Sequence, residues 1–232
     1  MLEALLYGAI ASSALLVGGA LGAVWRPPDG VLAVALAFAS GALITAVSFD
    51  LFGESVRSGG LTRSGLGLLL GAATFVAVDT LLDRYIEGST SVSGFAILAA
   101  VTLDGVPENL ALGVSLIQGS GSITLLAAIF ASNFPEALGG AAGMRQSGRS
   151  RTFAAVTWAL TGVLLTAAVV AGYSGLSGAS PQTLSLLQSF AAGAVIASLA
   201  DTLMPDAYRN GGPWIAFATS AGFFVSFVLA NL

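Results

Sequence analysis

The stretch Ala96-Ile97-Leu98-Ala99-Ala100-Val101-Thr102-Leu103-Asp104-Gly105-Val106-Pro107-Glu108-Asn109-Leu110-Ala111-Leu112 lies inside an apolar run, 92–117, whose only charges are Asp104 and Glu108. A bilayer's hydrocarbon core, about 30 Å thick, is crossed by about 20 apolar residues in a helix. The run therefore predicts a membrane-spanning helix carrying two acids near mid-depth. Asp104 and Glu108 are four residues apart, which stacks them on one helix face. Pro107 lacks an N–H and frees the carbonyl of Leu103 to turn toward a ligand.

The rest of the chain reads the same way. Only 9% of its 232 residues are charged and 56% are hydrophobic, with a mean hydropathy of +0.90. A soluble domain carries about a quarter charged residues, so this composition predicts an all-α, polytopic membrane protein. The absence of cysteine excludes disulfides and thiolate metal sites, and the absence of histidine removes imidazole as ligand, base or proton relay. The opening run from Leu2 to Trp25 has only Glu3 as an early charge. It lacks a basic leader and is read as a retained first helix.

Eight segments approach spanning length: 2–25, 31–53, 64–83, 92–117, 121–144, 153–175, 183–205 and 212–231. Turn residues separate them, as in Pro27-Pro28-Asp29-Gly30, Ser58-Gly59-Gly60, Gly119-Ser120-Gly121 and Asn210-Gly211-Gly212-Pro213. No connection has room for a soluble domain, so one transmembrane domain, 1–232, is expected. Arg26, Arg84, Arg145, Arg149, Arg151 and Arg209 follow the odd-numbered segments, whereas Arg57 and Arg63 follow the even ones. This bias predicts a multi-pass cell-membrane protein with both termini extracytoplasmic.

Two internal repeats are visible. Phe38-Ala39-Ser40-Gly41-Ala42-Leu43-Ile44 matches Phe190-Ala191-Ala192-Gly193-Ala194-Val195-Ile196 at an offset of 152 residues, and each segment ends with an acid, Glu54 or Asp206. Under the predicted topology the two copies run in opposite directions, as in an inverted-repeat transporter. Chance similarity of small-residue helices is the alternative. The second repeat shares a Pro-Glu core at an offset of 28: Pro107-Glu108 and Pro135-Glu136. The resulting expectation is a 3+2+3 plan: repeat one over about 1–88, a central pair over about 92–144, and repeat two over about 153–232.

The central pair carries the chemistry. An intramembrane carboxylate costs about 2.5–3.5 kcal/mol even on lenient scales, and no arginine falls within either Pro-Glu segment. A cation or a proton then balances Asp104, Glu108 and Glu136. Ser132 and Glu136 share the i, i+4 spacing, with Asn133 beside them and Pro135 freeing the carbonyl of Ala131. Carboxylates, an amide, a hydroxyl and backbone oxygens form a hard ligand set suited to Mn, Fe(II), Mg or Ca, with zinc accessible through carboxylates. Asp50, Glu54, Asp79, Asp201 and Asp206, near segment ends, are expected entrance or exit acids, or else acids solvated at the interface.

These features resemble the Zrt/Irt-like (ZIP) metal transporters. The family's motifs, His-Asn-x-Pro-Glu-Gly and His-x-x-Pro-Glu-Gly, fall on Asp104 to Asn109 and Ser132 to Ala137. A further family segment, His/Glu-Leu-x-Pro-Glu, is similar to Asp50-Leu51-Phe52-Gly53-Glu54 and to Asp201-Thr202-Leu203-Met204-Pro205-Asp206. The resemblance implies eight helices, both termini outside, an inverted repeat, and a metal site on the fourth and fifth helices built from Asp104, Glu108, Ser132, Asn133 and Glu136. Its expected cargo is Zn, Fe or Mn, with no resident cofactor. Both motif histidines are replaced, by Asp104 and Ser132, and the sixth segment has no acid. One principal metal position is therefore expected.

Divalent metal ions and the bilayer are the expected partners, a homodimer is compatible with the family and the small-residue faces, and no nucleic acid is expected. A relative that has lost metal transport and serves as a proton pathway or interaction protein is the second reading. An enzyme is not expected: Asp79 and Asp104 would be the pair of an intramembrane aspartyl protease, but Val101-Thr102-Leu103 stands before Asp104 where its Gly-x-Gly signature belongs.

Overall fold

A computed structural model describes residues 1–87, 94–117 and 123–232, without the side chains of 86–87, 94–101 and 104. The described residues form helices joined by short turns, with no strand among them. Helices α1 (Leu2–Val24), α2 (Asp29–Ala46), α3 (Glu54–Gly59), α4 (Leu61–Glu87) and α5 (Gly94–Ile117) form the first part. Helices α6 (Ile123–Gln146), α7 (Arg151–Gly175), α8 (Pro181–Ser198), α9 (Met204–Gly211) and α10 (Ile215–Ala230) complete it. Among the described residues, six helical stretches are long and apolar enough to cross a membrane: Leu2–Val24, Asp29–Gly59, Leu61–Tyr85, Ile123–Gln146, Arg151–Gly175 and Pro181–Ala230. Gly105–Ile117 of α5 is a shorter apolar helix.

Helices begin and end where local chemistry predicts. The Ser150 hydroxyl accepts the Phe153 N–H at 3.0 Å to cap α7, and Ser180, ahead of Pro181, caps α8 through the Thr183 N–H at 3.2 Å. The segments expected at 31–53 and 183–205 extend to Gly59 and Gly211. On the added turn of helix Arg57 pairs with Glu54 and Arg209 with Asp206, at i, i+3. The segments stop at Gly60 and Gly212, whose φ values of 81° and 63° suit glycine alone.

These paired features keep the 152-residue offset, and so do the first residues of two π-helical breaks, Val47–Gly53 between α2 and α3 and Leu199–Leu203 between α8 and α9. Packing repeats as well. A Cβ on Gly41 would enter the Thr219 carbonyl of α10, and one on Gly222 the Phe38 carbonyl of α2. In the matching seam, Gly193 meets the Leu68 carbonyl of α4, and Gly71 the Phe190 carbonyl of α8. The long rods 29–59 and 181–211 run antiparallel: the Ser55 hydroxyl donates to the Ser185 carbonyl at 2.7 Å at one end, while Gly211 packs on Ala33 at the other.

The central helices follow this pattern. Helix α6 lies mainly against α1 and α2, α5 mainly against α7 and α8, and the described residues of α5 and α6 touch each other sparsely. Gly22 of α1 packs on the Leu138 carbonyl of α6, and Gly172 of α7 on the Leu110 carbonyl of α5. Leu110 and Leu138 stand at the 28-residue offset of the Pro-Glu motifs.

Candidate functional site

Pro107 and Pro135 both lie inside their helices, α5 and α6. Beside Pro107, Glu108 is only 7% exposed. The Asp104 side chain lies outside the described residues, so the predicted Asp104–Glu108 face is seen only through Glu108. Glu136 is half-buried and lines a cavity of about 440 Å³. Leu32 and Leu36 of α2, Trp158 of α7, and Thr202, Leu203 and Asp206 from the second π-helical break and α9 complete most of its wall. Gly139 and Gly140 of α6 open the space, packing against Leu32 and the Trp158 ring. The indole Nε1 of Trp158 is buried without a hydrogen-bond partner among the described residues.

Ser132 and Asn133 are fully buried, but their donors serve the helix packing. The Ser132 hydroxyl donates to the Ile129 carbonyl of its own helix at 3.0 Å, and the Asn133 amide donates to the Ala11 carbonyl of α1 at 3.4 Å. Asn133 thus reaches toward α1, which contributes no acid at that level. Among the described residues, no three acidic side chains converge as a ready-made metal-ligand group.

The peripheral acids separate into pairs. Arg57 holds Glu54 at 2.6 Å, and Arg209 holds Asp206 at 3.3 Å while Asp206 faces the Glu136 cavity. Asp50 lies in the first π-helical break. Asp79 of α4 and Asp201 of the second break, 122 residues apart in sequence, bring their side chains close together.

Asn109 stands at the position that glycine holds in the resembled His-Asn-x-Pro-Glu-Gly motif. It lies on the stripe Gly105, Asn109, Gly113, of which Gly105 faces Leu165 and Gly113 the Val169 carbonyl of α7. Its amide donates to the Gly105 carbonyl at 2.8 Å, and its Oδ1, fully buried, has no partner among the described residues. The i, i+4 spacing of these small residues was the available signal that this face serves packing.

Neither a family model nor a curated protein matches this chain. The functional reading rests on its own residues.

Proposed function

We propose that the protein spans the membrane in a 3+2+3 inverted-repeat arrangement and carries divalent metal cations, Mn, Fe(II) or Zn, as a ZIP-like transporter. The observation that carries the reading is the pair of Pro-Glu helices, with one carboxylate, Glu108, buried and the other, Glu136, opening on a cavity that reaches Asp206. A cation leaving the proline-kinked centre would meet Glu136 and then Asp206 along one continuous space. The mirrored glycine seams, π-helical breaks and ion pairs support an inverted repeat, which is the architecture of alternating-access carriers.

In this reading Asp104, Glu108 and Glu136 supply the charge that replaces part of the ion's hydration shell. Ser132 and Asn133 offer only the oxygen lone pairs left after their hydrogen bonds. Purified protein in liposomes loaded with a metal-sensing dye should show Mn²⁺ flux, and Glu136→Ala or Glu108→Ala should abolish it. Flux that survives alanine at Asp104, Glu108 and Glu136 together overturns the site.

The engagement of Ser132 and Asn133 in helix packing favours, as the second reading, a relative in which the central acids handle protons. That reading predicts proton flux with no metal-dependent rise in thermal stability. A true site, saturated a hundredfold above its dissociation constant, adds about 2.7 kcal/mol.

A further inference from the structure

A second concave site lies at the end of the molecule where α1 finishes and α7 begins. Its 220 Å³ cleft is lined by Gly22, Ala23, Val24, Trp25 and Arg26, by Ala142, Arg145 and Gln146 of α6, and by Arg151. Arg26 after α1 and Arg145 and Arg151 on either side of the α6–α7 turn therefore converge on one small space, in a protein whose net charge is −4. A topological bias toward arginine on one side of a membrane explains why they lie at this end. It does not explain why they surround one cleft.

The arginines are arranged to leave donors available. Arg145 is half-buried and steadied by donating one Nη1 hydrogen bond to the Arg149 carbonyl in the turn before α7. A guanidinium has five N–H donors, so most of those on Arg145 remain for a ligand. No carboxylate pairs with Arg145 or Arg151 among the described residues; Asp29 reaches Arg26 at 3.4 Å, with both side chains more than half exposed. The first turn of α7 has no acid, so its free N–H groups add positive potential beside Arg151. Gly22 and Ala142 form a floor without bulky side chains.

We infer that this cleft binds the phosphate headgroup of an anionic phospholipid. The argument for a lipid over a free anion is continuity with apolar surface: Val24 is 62% exposed, Trp25 45% and Leu21 37%, all on the same end of α1. Acyl chains can lie on that surface while the phosphate meets the arginines. Trp25 stands at the boundary between the two, where an indole suits a headgroup region.

The test uses the whole protein in a zwitterionic detergent. Native mass spectrometry compares phosphatidylglycerol with phosphatidylcholine of equal chain length. Each arginine near an anionic lipid contributes about fivefold in affinity, so the expected preference for phosphatidylglycerol is on the order of a hundredfold. Arg145→Gln with Arg151→Gln should cut it to about fivefold, while Arg57→Gln with Arg63→Gln, at the other end, leaves it intact. Added salt should weaken the wild-type preference, which tests the proposal even if the double variant fails to fold. Equal binding of the two lipids, equal loss in the control variant, or complete displacement by excess inorganic phosphate would overturn it, the last by making the site one for a free anion.

Discussion

Alanine at Gly41 should destabilise the protein, and alanine at Gly65 should not, although both glycines lie within long helices. At Gly41 the added carbon would overlap the Thr219 carbonyl oxygen and come within 2.8 Å of the Thr219 carbon and the Phe223 nitrogen. All three are backbone atoms of α10, so no side chain can turn aside and the two helices must part. Overpacking of this kind costs about 1–3 kcal/mol, offset by up to about 1 kcal/mol because alanine is the better helix former. At Gly65 nothing lies within 4 Å, so only the helix-forming gain remains. The difference between the two variants should be about 2 kcal/mol. Gly193→Ala should match Gly41→Ala, since the Leu68 carbonyl and the Ala72 nitrogen take the same positions in the mirrored seam. The double variant should be additive to within about 0.5 kcal/mol, the seams being separate. Unfolding in mixed micelles of a mild detergent and dodecyl sulfate, followed by circular dichroism, measures each value. The reasoning is refuted if Gly41→Ala proves as stable as Gly65→Ala.

Other regions give equally direct expectations. With Trp25 and Trp214 changed to Phe, Trp158 becomes the sole tryptophan beside Glu136; Mn²⁺ should then quench its emission saturably, and Glu136→Ala should leave only weak, unsaturable quenching. Ser55→Ala removes hydrogen bonds of 2.7 Å to Ser64 and to the Ser185 carbonyl in a fully buried cluster, and the same unfolding assay should register a loss of about 1 kcal/mol. Ser12 of α1 and Thr166 of α7 share a 2.9 Å hydrogen bond, and the chain has no native cysteine. Oxidised Ser12→Cys/Thr166→Cys protein should therefore stop carrying Mn²⁺, with a reductant restoring the flux; equal flux in both states would argue against movement at this contact.

Much of the architecture was legible because apolar length and turn chemistry are local properties. The 152-residue repeat was legible from Phe38 to Ile44 against Phe190 to Ile196, and it extends further than those residues suggested. Arg57 with Arg209 and Gly60 with Gly212 keep the same offset, yet they became meaningful only once each arginine was seen to hold its acid and each glycine to end a rod. The π-helical breaks left no sequence signal, because their flanking residues keep ordinary helical dihedrals, as at Ala46 with φ −59° and ψ −44°. Contacts between distant segments were equally hidden. Nothing in the spacing joins Asp79 to Asp201, or turns the amide of Asn133 toward Ala11 of α1. The i, i+4 rule places two side chains on one helix face; which neighbour that face meets is decided by packing elsewhere, here by the glycines of α1 and α7.

That division bears on how the central acids act. Glu136 sits on α6, which is seated on α1 and α2, whereas Glu108 sits on α5, which is seated on α7 and α8. The two Pro-Glu helices therefore have different neighbours and touch each other sparsely, while α1 and α7 pack closely on each other. In the proposed carrier, sliding along the α1–α7 contact would change the distance between the carboxylates while leaving α6 on α1 and α5 on α7. On the proposed function, binding that needs both acids would be sensitive to this displacement, and release would follow from an ångström or two, since cation–oxygen distances tolerate only a few tenths. The backbone-to-backbone glycine contacts would suit such a device, because close-packed helices shift between discrete arrangements and do not deform smoothly.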